Sequence, residues 1–212
     1  LKNHNYQPLH NDWLDEAIGY NELNVVRKPV SNKLQSYEVI NTIYENTKDY
    51  KIPVTTEVGQ HQLWTAQNYK FNYEGQFITS GGSGTMGFGF PAAIGASIAL
   101  KGKPVICISG DGSFQMNEQE LATCRDYNLP VKIFILNNGY LGMVRQLQEK
   151  SCVGRYSQTK ISNPDFIKLA DSYNIKSERV TKLAELKSAI QRAFSTGGAY
   201  ITDVIIEPYE VV

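Results

Sequence analysis

Short apolar runs and longer amphipathic segments alternate along most of the chain. The apolar runs are continuous, as in VICIS at 105–109 and VKIFIL at 131–136, instead of alternating with polar residues. Continuous runs of this length are typical of strands that are buried on both faces of a parallel sheet. The predicted strands are IPVTTEV (52–58), QFITS (76–80), KPVICIS (103–109), PVKIFIL (130–136) and AYITDVIIE (199–207).

Apolar residues recur at helical spacing in the segments between these runs. Pro91 and Pro164 mark two helix starts, because the first turn of a helix can spare an N–H, and Asn163 is the predicted N-cap before Pro164. The alternation predicts an α/β fold, namely a doubly wound, mostly parallel sheet with helices on both faces. The predicted helices cover residues 34–47, 90–100, 117–128, 163–174 and 183–194.

Residues 1–30 are more polar than the rest and carry one short helical candidate, DWLDEAIGY at 12–20. We interpret residues 1–30 as a linker or arm from a preceding domain and residues 31–212 as one domain. Because the chain opens at Leu1 and not at Met, we expect it to be a fragment of a longer protein.

Composition and charge exclude several classes of partner. Lys and Arg together number 21, as do Asp and Glu, so the formal net charge is zero and nothing favours nucleic acid binding. The longest apolar runs are too short to span a membrane. Cys107, Cys124 and Cys152 lack metal-site spacing, which favours reduced thiols and a cytoplasmic location.

The informative positions are those that follow the predicted strands, because ligands of open parallel sheets bind beyond the carboxyl ends of the strands. Four of the predicted strands end in small or polar residues. These strand ends are Gly59-Gln60-His61, GGSGTMG (81–87), Gly110-Asp111-Gly112-Ser113 and Asn137-Asn138-Gly139.

The glycine-rich strand end at 81–87 allows two interpretations. It contains G-x-G-x-x-G at Gly82, Gly84 and Gly87 with a predicted helix after it, which is also the pattern of a dinucleotide-binding turn. Asp111 would then be the acid that binds a ribose hydroxyl. A plain tight turn between strand and helix is equally compatible with the pattern.

Asp111 and Asn138 together favour a different ligand. Mg²⁺ takes oxygen ligands, usually one or two from the protein and the others from phosphate and water. If the strands before Asp111 and Asn138 are neighbours, both side chains reach one point beyond the sheet. The glycines on either side of Asp111 would let a diphosphate approach the backbone, near the N-terminus of the helix after Ser113. Asp-Gly is also a common turn pair, so the combination carries the argument.

The segment GDGSFQMNEQELATCRDYNLPVKIFILNN resembles the thiamine-diphosphate-binding motif, with 24 residues, 113–136, between Gly112 and Asn137. More narrowly, the chain from about residue 34 to its end resembles the carboxy-terminal cofactor domain of acetolactate synthase (acetohydroxyacid synthase) large subunits. The segments that carry this resemblance are TTEVGQHQLW, TSGGSGTMGFGFPAAIGA, GDGSFQMNEQELAT and NNGYLGMVRQ.

The resemblance implies a role for each matching position. Asp111, Asn138 and the backbone oxygen of Tyr140 would bind Mg²⁺. Met143 and Val144 would line the substrate side of the catalytic site. The implied cofactor-binding residues are Gln60, His61, Gly84, Met86, Gly110, Gly112, Ser113 and Met143.

The resemblance also implies a reaction and its partners. Acetolactate synthase is a transferase that decarboxylates pyruvate on thiamine diphosphate and joins the two-carbon unit to a second 2-oxo acid, in branched-chain amino acid biosynthesis. Its catalytic glutamate lies in an amino-terminal domain, and FAD binds a middle domain; both domains are absent from these 212 residues. We therefore expect the chain alone to be inactive. A homodimer or tetramer and a small regulatory subunit are implied for the full-length enzyme.

Departures from the family pattern cluster in one segment. Leu147 stands where the family usually has Trp, and Ser151-Cys152 replace an aromatic pair. Loss of aromatic contact predicts a weaker preference for 2-oxobutyrate as acceptor and poor binding of sulfonylurea-type inhibitors. Another thiamine-dependent decarboxylase or carboligase, a nicotinamide-binding oxidoreductase domain and a non-catalytic cofactor-binding module remain alternatives.

The Asn-Gly pair at 138–139 would ordinarily favour a β-hairpin. The residues after it have helical spacing instead, with Leu141, Val144 and Leu147 three apart, and no alternating strand returns. A strand end followed by a helix is therefore predicted at this position.

Overall fold

The computed structural model describes residues 10–21 and 27–212. Its six-stranded sheet has the order β2-β1-β3-β4-β6-β5, and each neighbouring pair is parallel. The predicted parallel sheet is confirmed, with strands slightly shorter than the apolar runs. The strands are β1 (Val54–Thr56), β2 (Phe77–Thr79), β3 (Val105–Gly110), β4 (Val131–Asn137), β5 (Lys176–Val180) and β6 (Tyr200–Ile205).

Helices connect successive strands, as the alternating pattern predicts. The prediction for 117–128 is confirmed only in part, because a 3₁₀ turn at Glu118–Glu120 precedes a short α-helix. The helices are α1 (Asn11–Asn21), α2 (Ser36–Thr47), α3 (Gln60–Asn68), α4 (Gly89–Ala99), α5 (Asp111–Phe114), α6 (Leu121–Asp126), α7 (Gly142–Ser151), α8 (Phe166–Ser172) and α9 (Leu183–Ser195).

The central strands point their side chains alternately to the two faces of the sheet and so build two cores. On β3, Ile106 and Ile108 belong to one core, and Val105 and Cys107 belong to the other. Helices α2, α3 and α9 cover the first face, whereas α4, α6 and α8 cover the second. Burying a Val, Leu, Ile or Phe side chain contributes about 1.5–3 kcal/mol. Burial on both faces explains why these apolar runs are continuous.

Helix α3 and strand β5 were not predicted from the hydrophobic pattern. Helix α3 follows Gly59 directly and opens with polar residues, so its first turn resembles a loop in the sequence. Strand β5, KSERV, lies at the edge of the sheet, and only its last residue, Val180, is buried. An edge strand has only one neighbouring strand and is partly exposed to solvent. It therefore lacks the continuous run of apolar residues from which the other strands were predicted.

The predicted start of the helix at 163–174 is wrong. Helix α8 begins at Phe166, and its N-cap is Asp165, whose Oδ1 accepts a hydrogen bond of 3.2 Å from the backbone N–H of Ile167. Pro164 therefore precedes the helix, and Asn163 does not cap it. The side chain of Asn163 is engaged elsewhere, as described below.

The predicted linker at 1–30 lies partly outside the described residues, which leave out 1–9 and 22–26. The short helix predicted at 12–20 is confirmed by α1. The boundary between linker and domain stays a prediction. Across the described ranges, none of the helices combines the length and the apolar character that a membrane crossing requires.

Candidate functional site

A cavity opens at the carboxyl ends of β1, β3 and β4, where the strand-end argument places the site. Its wall includes all the predicted site residues except Gly84, which lies in the loop before Met86 but does not line the cavity. The predicted residues in the wall are Gln60, His61, Met86, Gly110, Asp111, Gly112, Ser113, Asn138, Tyr140, Met143 and Val144. The strand-end Gly59 and residues to which the sequence assigned no role complete the wall: Ser36, Val58, Leu136, Leu141, Gly142 and Ile206.

Asp111 begins the helical turn α5 at the end of β3 and is only 2% exposed. Its Oδ2 accepts hydrogen bonds from the backbone N–H of Gly139 at 2.8 Å and from Nδ2 of Asn163 at 2.7 Å. Burial raises the pKa of the Asp111 carboxyl, and these hydrogen bonds oppose that shift. A buried carboxylate in this position gains from a nearby cation.

The loop after β4 brings the other two predicted metal ligands to the same place. Strands β3 and β4 pair with Gly110 opposite Leu136, so the residues after them meet beyond the sheet. The Oδ1 of Asn138 accepts a hydrogen bond of 2.9 Å from the backbone N–H of Tyr140. Gly139 has a φ of 71°, which favours glycine and turns the chain between these two residues.

The same loop is fixed from outside and does not form a hairpin. The backbone N–H of Leu141 donates to the carbonyl of Thr159 at 2.7 Å, and that of Ile161 donates to Gly139 at 3.0 Å. A single bridge joins Tyr140 to Lys160, and helix α7 follows at once. The predicted change from strand to helix after the Asn-Gly pair is confirmed.

Asn163 is the most informative residue that the sequence did not assign to the site. Besides its bond to Asp111, its Nδ2 donates to Oδ1 of Asn137 at 2.9 Å. Asn137 in turn donates to the buried Asp203 at 2.9 Å, and Asp203 accepts from Nε of Arg179 at 2.8 Å. A continuous set of polar contacts thus runs from the edge strand β5 to Asp111. Asn137, the first Asn of the Asn-Asn pair, takes part in these contacts and does not line the cavity.

Glycine at position 112 lets neighbouring side chains pack directly against the backbone of the cavity wall. A Cβ at Gly112 would lie 3.0 Å from Cδ2 of Leu141 and 3.1 Å from Cδ1 of Ile161, so a larger residue would force these side chains to move. Gly112 itself lines the cavity. Its lack of a side chain therefore sets how closely Leu141 and Ile161 approach the start of α5.

Gln60 joins the cavity to helix α7 and to the residues after β6. Its Nε2 donates to Oε1 of Gln146 at 2.7 Å and to the carbonyl of Glu210 at 2.9 Å. The Glu210 carboxylate accepts a hydrogen bond of 2.7 Å from the backbone N–H of Ser36, and burial raises its pKa. The segment 207–212 therefore packs beside the cavity and helps to orient Gln60.

Helix α7 presents Met143 and Val144 to the cavity. Its buried residues are Arg145 and Gln146, while Val144 is 43% and Leu147 is 54% exposed. Leu147, the position that departs from the resembling family, lies on the exposed side and does not line the cavity.

The donor atoms fit a hard cation held together with a phosphate group. Asp111, Asn138 and Tyr140 line one cavity at two adjacent strand ends and could offer a carboxylate, an amide oxygen and a backbone carbonyl, a set that Mg²⁺ completes with phosphate oxygens and water. The remaining wall combines polar groups with Met86, Met143 and Leu141, so it also suits a ring system.

The fold and the cavity agree with a known class of cofactor-binding domain. The sequence pattern of the family described as thiamine pyrophosphate enzyme, C-terminal TPP binding domain, matches residues 57–204. The chain belongs to this family, whose cofactor is thiamine pyrophosphate, also called thiamine diphosphate. The nicotinamide interpretation of the glycine-rich turn is thereby set aside.

Within this class the chain is similar to acetolactate synthase large subunits. The large subunit of Buchnera aphidicola is 42% identical over 217 residues, which cover 100% of this chain and 38% of that protein. That of Cyanidium caldarium is 47% identical over 182 residues, covering 85% of this chain and 31% of that protein. The isozyme 2 large subunit of Escherichia coli is 47% identical over 160 residues, covering 75% and 29%. The chain thus spans between 29% and 38% of the length of these relatives.

Solved structures show the same fold at lower identity. Benzoylformate decarboxylase from Polynucleobacter necessarius has a TM-score of 0.79 and is 24% identical, covering 89% of this chain and 36% of that protein. The thiamine diphosphate-dependent 4-hydroxybenzoylformate decarboxylase from Rhodococcus jostii RHA1 has a TM-score of 0.78 and 24% identity, covering 86% and 34%.

Proposed function

We propose that the chain is the cofactor domain of an acetolactate synthase-type carboligase. The reaction is decarboxylation of pyruvate and transfer of the two-carbon unit to a second 2-oxo acid, which gives acetolactate or acetohydroxybutyrate. The supporting observation is that Asp111, Asn138 and Tyr140 meet Gln60 and His61 at one cavity. The identity of 42% to 47% with the large subunits favours this reaction over others of the class.

Each part of the cavity wall has a task in this proposal. The Asp111 carboxylate, the Asn138 amide oxygen and the Tyr140 carbonyl hold Mg²⁺, which neutralises the diphosphate. Met86 and Met143 pack against the rings of the cofactor, and Val144 faces the substrates. Bound thiamine diphosphate supplies the electron sink for decarboxylation. The protein orients it and excludes water.

Ligands of the diphosphate itself complete the assignment. Gln60 and His61 from α3, with Gly110, Gly112 and Ser113 at the start of α5, surround the space beside Asp111. Gly84 does not line the cavity. Its φ of 61°, which favours glycine, lets the chain turn before Met86.

The full-length protein has further proposed features that these residues do not contain. They are an amino-terminal domain with the catalytic glutamate, a middle domain that binds FAD, a dimer or tetramer and a small regulatory subunit. The name "large subunit" carried by the relatives supports the last of these. The three cysteines are free thiols, which supports a cytoplasmic location.

A second candidate is another thiamine-diphosphate-dependent 2-oxo-acid decarboxylase or carboligase. It is favoured by the Leu147, Ser151 and Cys152 departures, because they fall on and directly after α7, next to the proposed substrate side. Such an enzyme would use the same cofactor residues with different acceptors.

A calorimetric titration of the full-length protein tests the proposal. Thiamine diphosphate should bind in the presence of Mg²⁺ and NADH should not, and Asp111→Ala should abolish the dependence on Mg²⁺. Asp126→Ala, at an exposed aspartate of α6, is the matched control and should change nothing. Acetolactate formed from pyruvate then separates the first candidate from the second. The proposal would be contradicted if Asp111→Ala left the Mg²⁺ dependence of cofactor binding unchanged. It would also be contradicted if residues 1–212 alone formed acetolactate.

A further inference from the structure

Glu57 is a buried carboxylate to which the proposed function gives no task. It follows β1 and is 0% exposed. Its Oε1 accepts a hydrogen bond from the hydroxyl of Ser109 on β3. Its Oε2 is buried without a hydrogen-bond partner among the residues that the structure describes. A carboxylate in this state costs free energy unless positive charge compensates it.

Part of the compensation comes from the start of helix α4. A Cβ added to Gly89, the first residue of α4, would overlap Oε2 of Glu57. The carboxylate therefore sits against the N-terminal end of an 11-residue helix, where the helix dipole favours negative charge. This contact places the positive end of the helix dipole beside the buried carboxylate.

His61 supplies the other compensating group. Its Nε2 lies 3.5 Å from Oε1 of Glu57, and within the described ranges no other basic nitrogen lies within 4.0 Å of that carboxylate. Nε2 is itself buried and makes no hydrogen bond to the described residues. A distance of 3.5 Å is long for a hydrogen bond but short for a charge pair in a buried setting.

The opposite nitrogen of His61 faces the glycines of the cavity wall. A Cβ at Gly110 would lie 2.8 Å from Nδ1, and a Cβ at Gly59 would lie 3.0 Å from it. Both glycines line the cavity. The imidazole thus stands between the Glu57 carboxylate on one side and the proposed diphosphate site on the other.

We propose that Glu57 is a positioning residue that holds His61 as an imidazolium, with Nε2–H toward Glu57 and Nδ1–H presented to the diphosphate. The inference rests on the proposed function. A neutral imidazole that kept its proton on Nε2 would turn the lone pair of Nδ1 toward an anion. The cation also separates the buried carboxylate from the negative phosphate groups, which would otherwise repel each other.

Two further titratable groups, Asp111 and Cys107, lie at the end of β3 and within it. Asp111 follows Gly110 at the end of β3, and its charge also favours a cation until Mg²⁺ neutralises it. Cys107 lies deeper on β3, where burial and, to a lesser extent, the Glu57 charge raise the pKa of its thiol. Cys107 therefore stays uncharged and does not compete for the imidazolium.

Three variants of the full-length protein test the role of Glu57. Glu57→Gln keeps the shape and removes the charge, and Glu57→Asp keeps the charge. Glu178→Gln, at a carboxylate of the far edge strand β5, is the control. With Mg²⁺ present, calorimetry should show the Kd of inorganic diphosphate and of thiamine diphosphate raised about tenfold in Glu57→Gln, or about 1.4 kcal/mol. Glu57→Asp should recover most of the affinity, and Glu178→Gln should match the wild type.

Nitrogen-15 NMR of the histidine side chains measures protonation of the ring nitrogens directly, so it distinguishes an electrostatic role of Glu57 from a purely structural one. His61→Gln assigns the signal. In the wild type with Mg²⁺ and diphosphate, both ring nitrogens of His61 should carry protons, and in Glu57→Gln only one should. A neutral His61 in the wild-type complex would overturn the inference even if Glu57→Gln failed to fold.

The outcomes separate this inference from the proposed function. Wild-type binding with an unaffected Glu57→Gln variant would overturn only the role of Glu57. A wild type that binds neither diphosphate nor thiamine diphosphate would overturn both.

Discussion

Helices α7 and α9 are both amphipathic, yet they bury opposite kinds of side chain. Helix α9 places its apolar stripe in the core and its charges in solvent. Helix α7 buries Arg145 and Gln146 and leaves Val144 and Leu147 largely exposed. The apolar stripe of α9 consists of Leu186, Ala189, Ile190 and Ala193.

The buried polar face of α7 is explained by what it holds. Gln146 bonds to Gln60 and, through 3.0 and 3.2 Å contacts, to both backbone groups of Val212. Arg145 pairs with Glu149 at 2.8 Å and lies 5.4 Å from the ring centre of Tyr209. Amphipathic spacing thus identifies a helix but not which of its faces packs inward. At a functional site the polar face can do the packing and leave the apolar face to ligands and partners.

Core packing by α9 and surface exposure of α7 should differ most in their effect on stability. Ile190→Ala on α9 should lower the free energy of unfolding by about 2–5 kcal/mol, because it leaves a cavity in a close-packed core. Leu147→Ala on α7 should change it by no more than about 0.5 kcal/mol, because that side chain is exposed. Urea unfolding of both variants measures the difference. Equal losses would show that α7 packs through its apolar face after all.

The next prediction concerns how the end of α9 is fixed. The buried Lys132 of β4 donates hydrogen bonds to the carbonyls of Thr196 and Gly198, directly after α9, at 2.7 and 2.6 Å. Burial lowers the pKa of its ammonium to about 8, from an ordinary value of 10.5. Below pH 8 both states carry the proton, whereas between pH 8 and 10.5 the unfolded chain binds more protons than the folded one.

The stability of the wild type relative to Lys132→Met should therefore rise with pH across this window, by at most about 3 kcal/mol. Subtracting the variant removes the contributions of the tyrosines and cysteines, which titrate in the same range. Unfolding free energies at the two ends of the window give the answer. A difference that stays constant or falls with pH would refute the lowered pKa of Lys132.

The next prediction concerns the half-buried Asn163, which supports Asp111 from outside the cavity wall. Asn163→Ala removes the hydrogen bond to Asp111, and loss of such outer support typically weakens metal binding about 10- to 100-fold. The Mg²⁺ dependence of thiamine diphosphate binding measures this effect. Asn46→Ala, at a half-buried Asn of α2 that does not line the cavity, is the control and should leave the affinity for Mg²⁺ unchanged. If both variants bind Mg²⁺ equally, Asn163 supports only the fold.

The exposed face of α7 should affect substrate choice and not stability. In the full-length enzyme, Leu147→Trp should raise the preference for 2-oxobutyrate over pyruvate about two- to tenfold, since one added aromatic contact is worth about 0.5–1.5 kcal/mol. Competition between the two acceptors measures the ratio of products. The free energy of unfolding should stay unchanged, which distinguishes a substrate contact from repacking. An unaltered product ratio would remove Leu147 from the substrate side.

The fold was predictable where burial is symmetric and local. Continuous apolar runs predicted β3 and β4, and helical spacing predicted α2 and α9, because burial on a sheet or a stripe imposes those periods. Helix α3 and strand β5 carry few buried apolar residues, so periodicity had nothing to detect. Asn163 shows the limit of local rules, since Asn before Pro fits an N-cap but its partner lies 52 residues away.

The site divides in the same way. Asp111 and Asn138 were predictable because parallel strands end at one edge, and that rule needs no distances. Glu57 was not predictable, since its partner Ser109 is 52 residues distant and no rule of spacing connects them. Residues that line the cavity at the strand ends follow from topology, while the residues that support them follow from packing.

The contacts that connect Arg179, Asp203, Asn137 and Asn163 to Asp111 have a consequence for folding kinetics. They span β5, β6, β4 and the end of β3, and each pairing between these strands joins distant parts of the chain. Parallel pairings of this kind form slowly, because the entropy cost of closing long loops comes before the stabilising contacts form. Metal and cofactor should therefore bind late in refolding, after the edge strand has docked, and should raise the melting temperature by mass action on the native state alone.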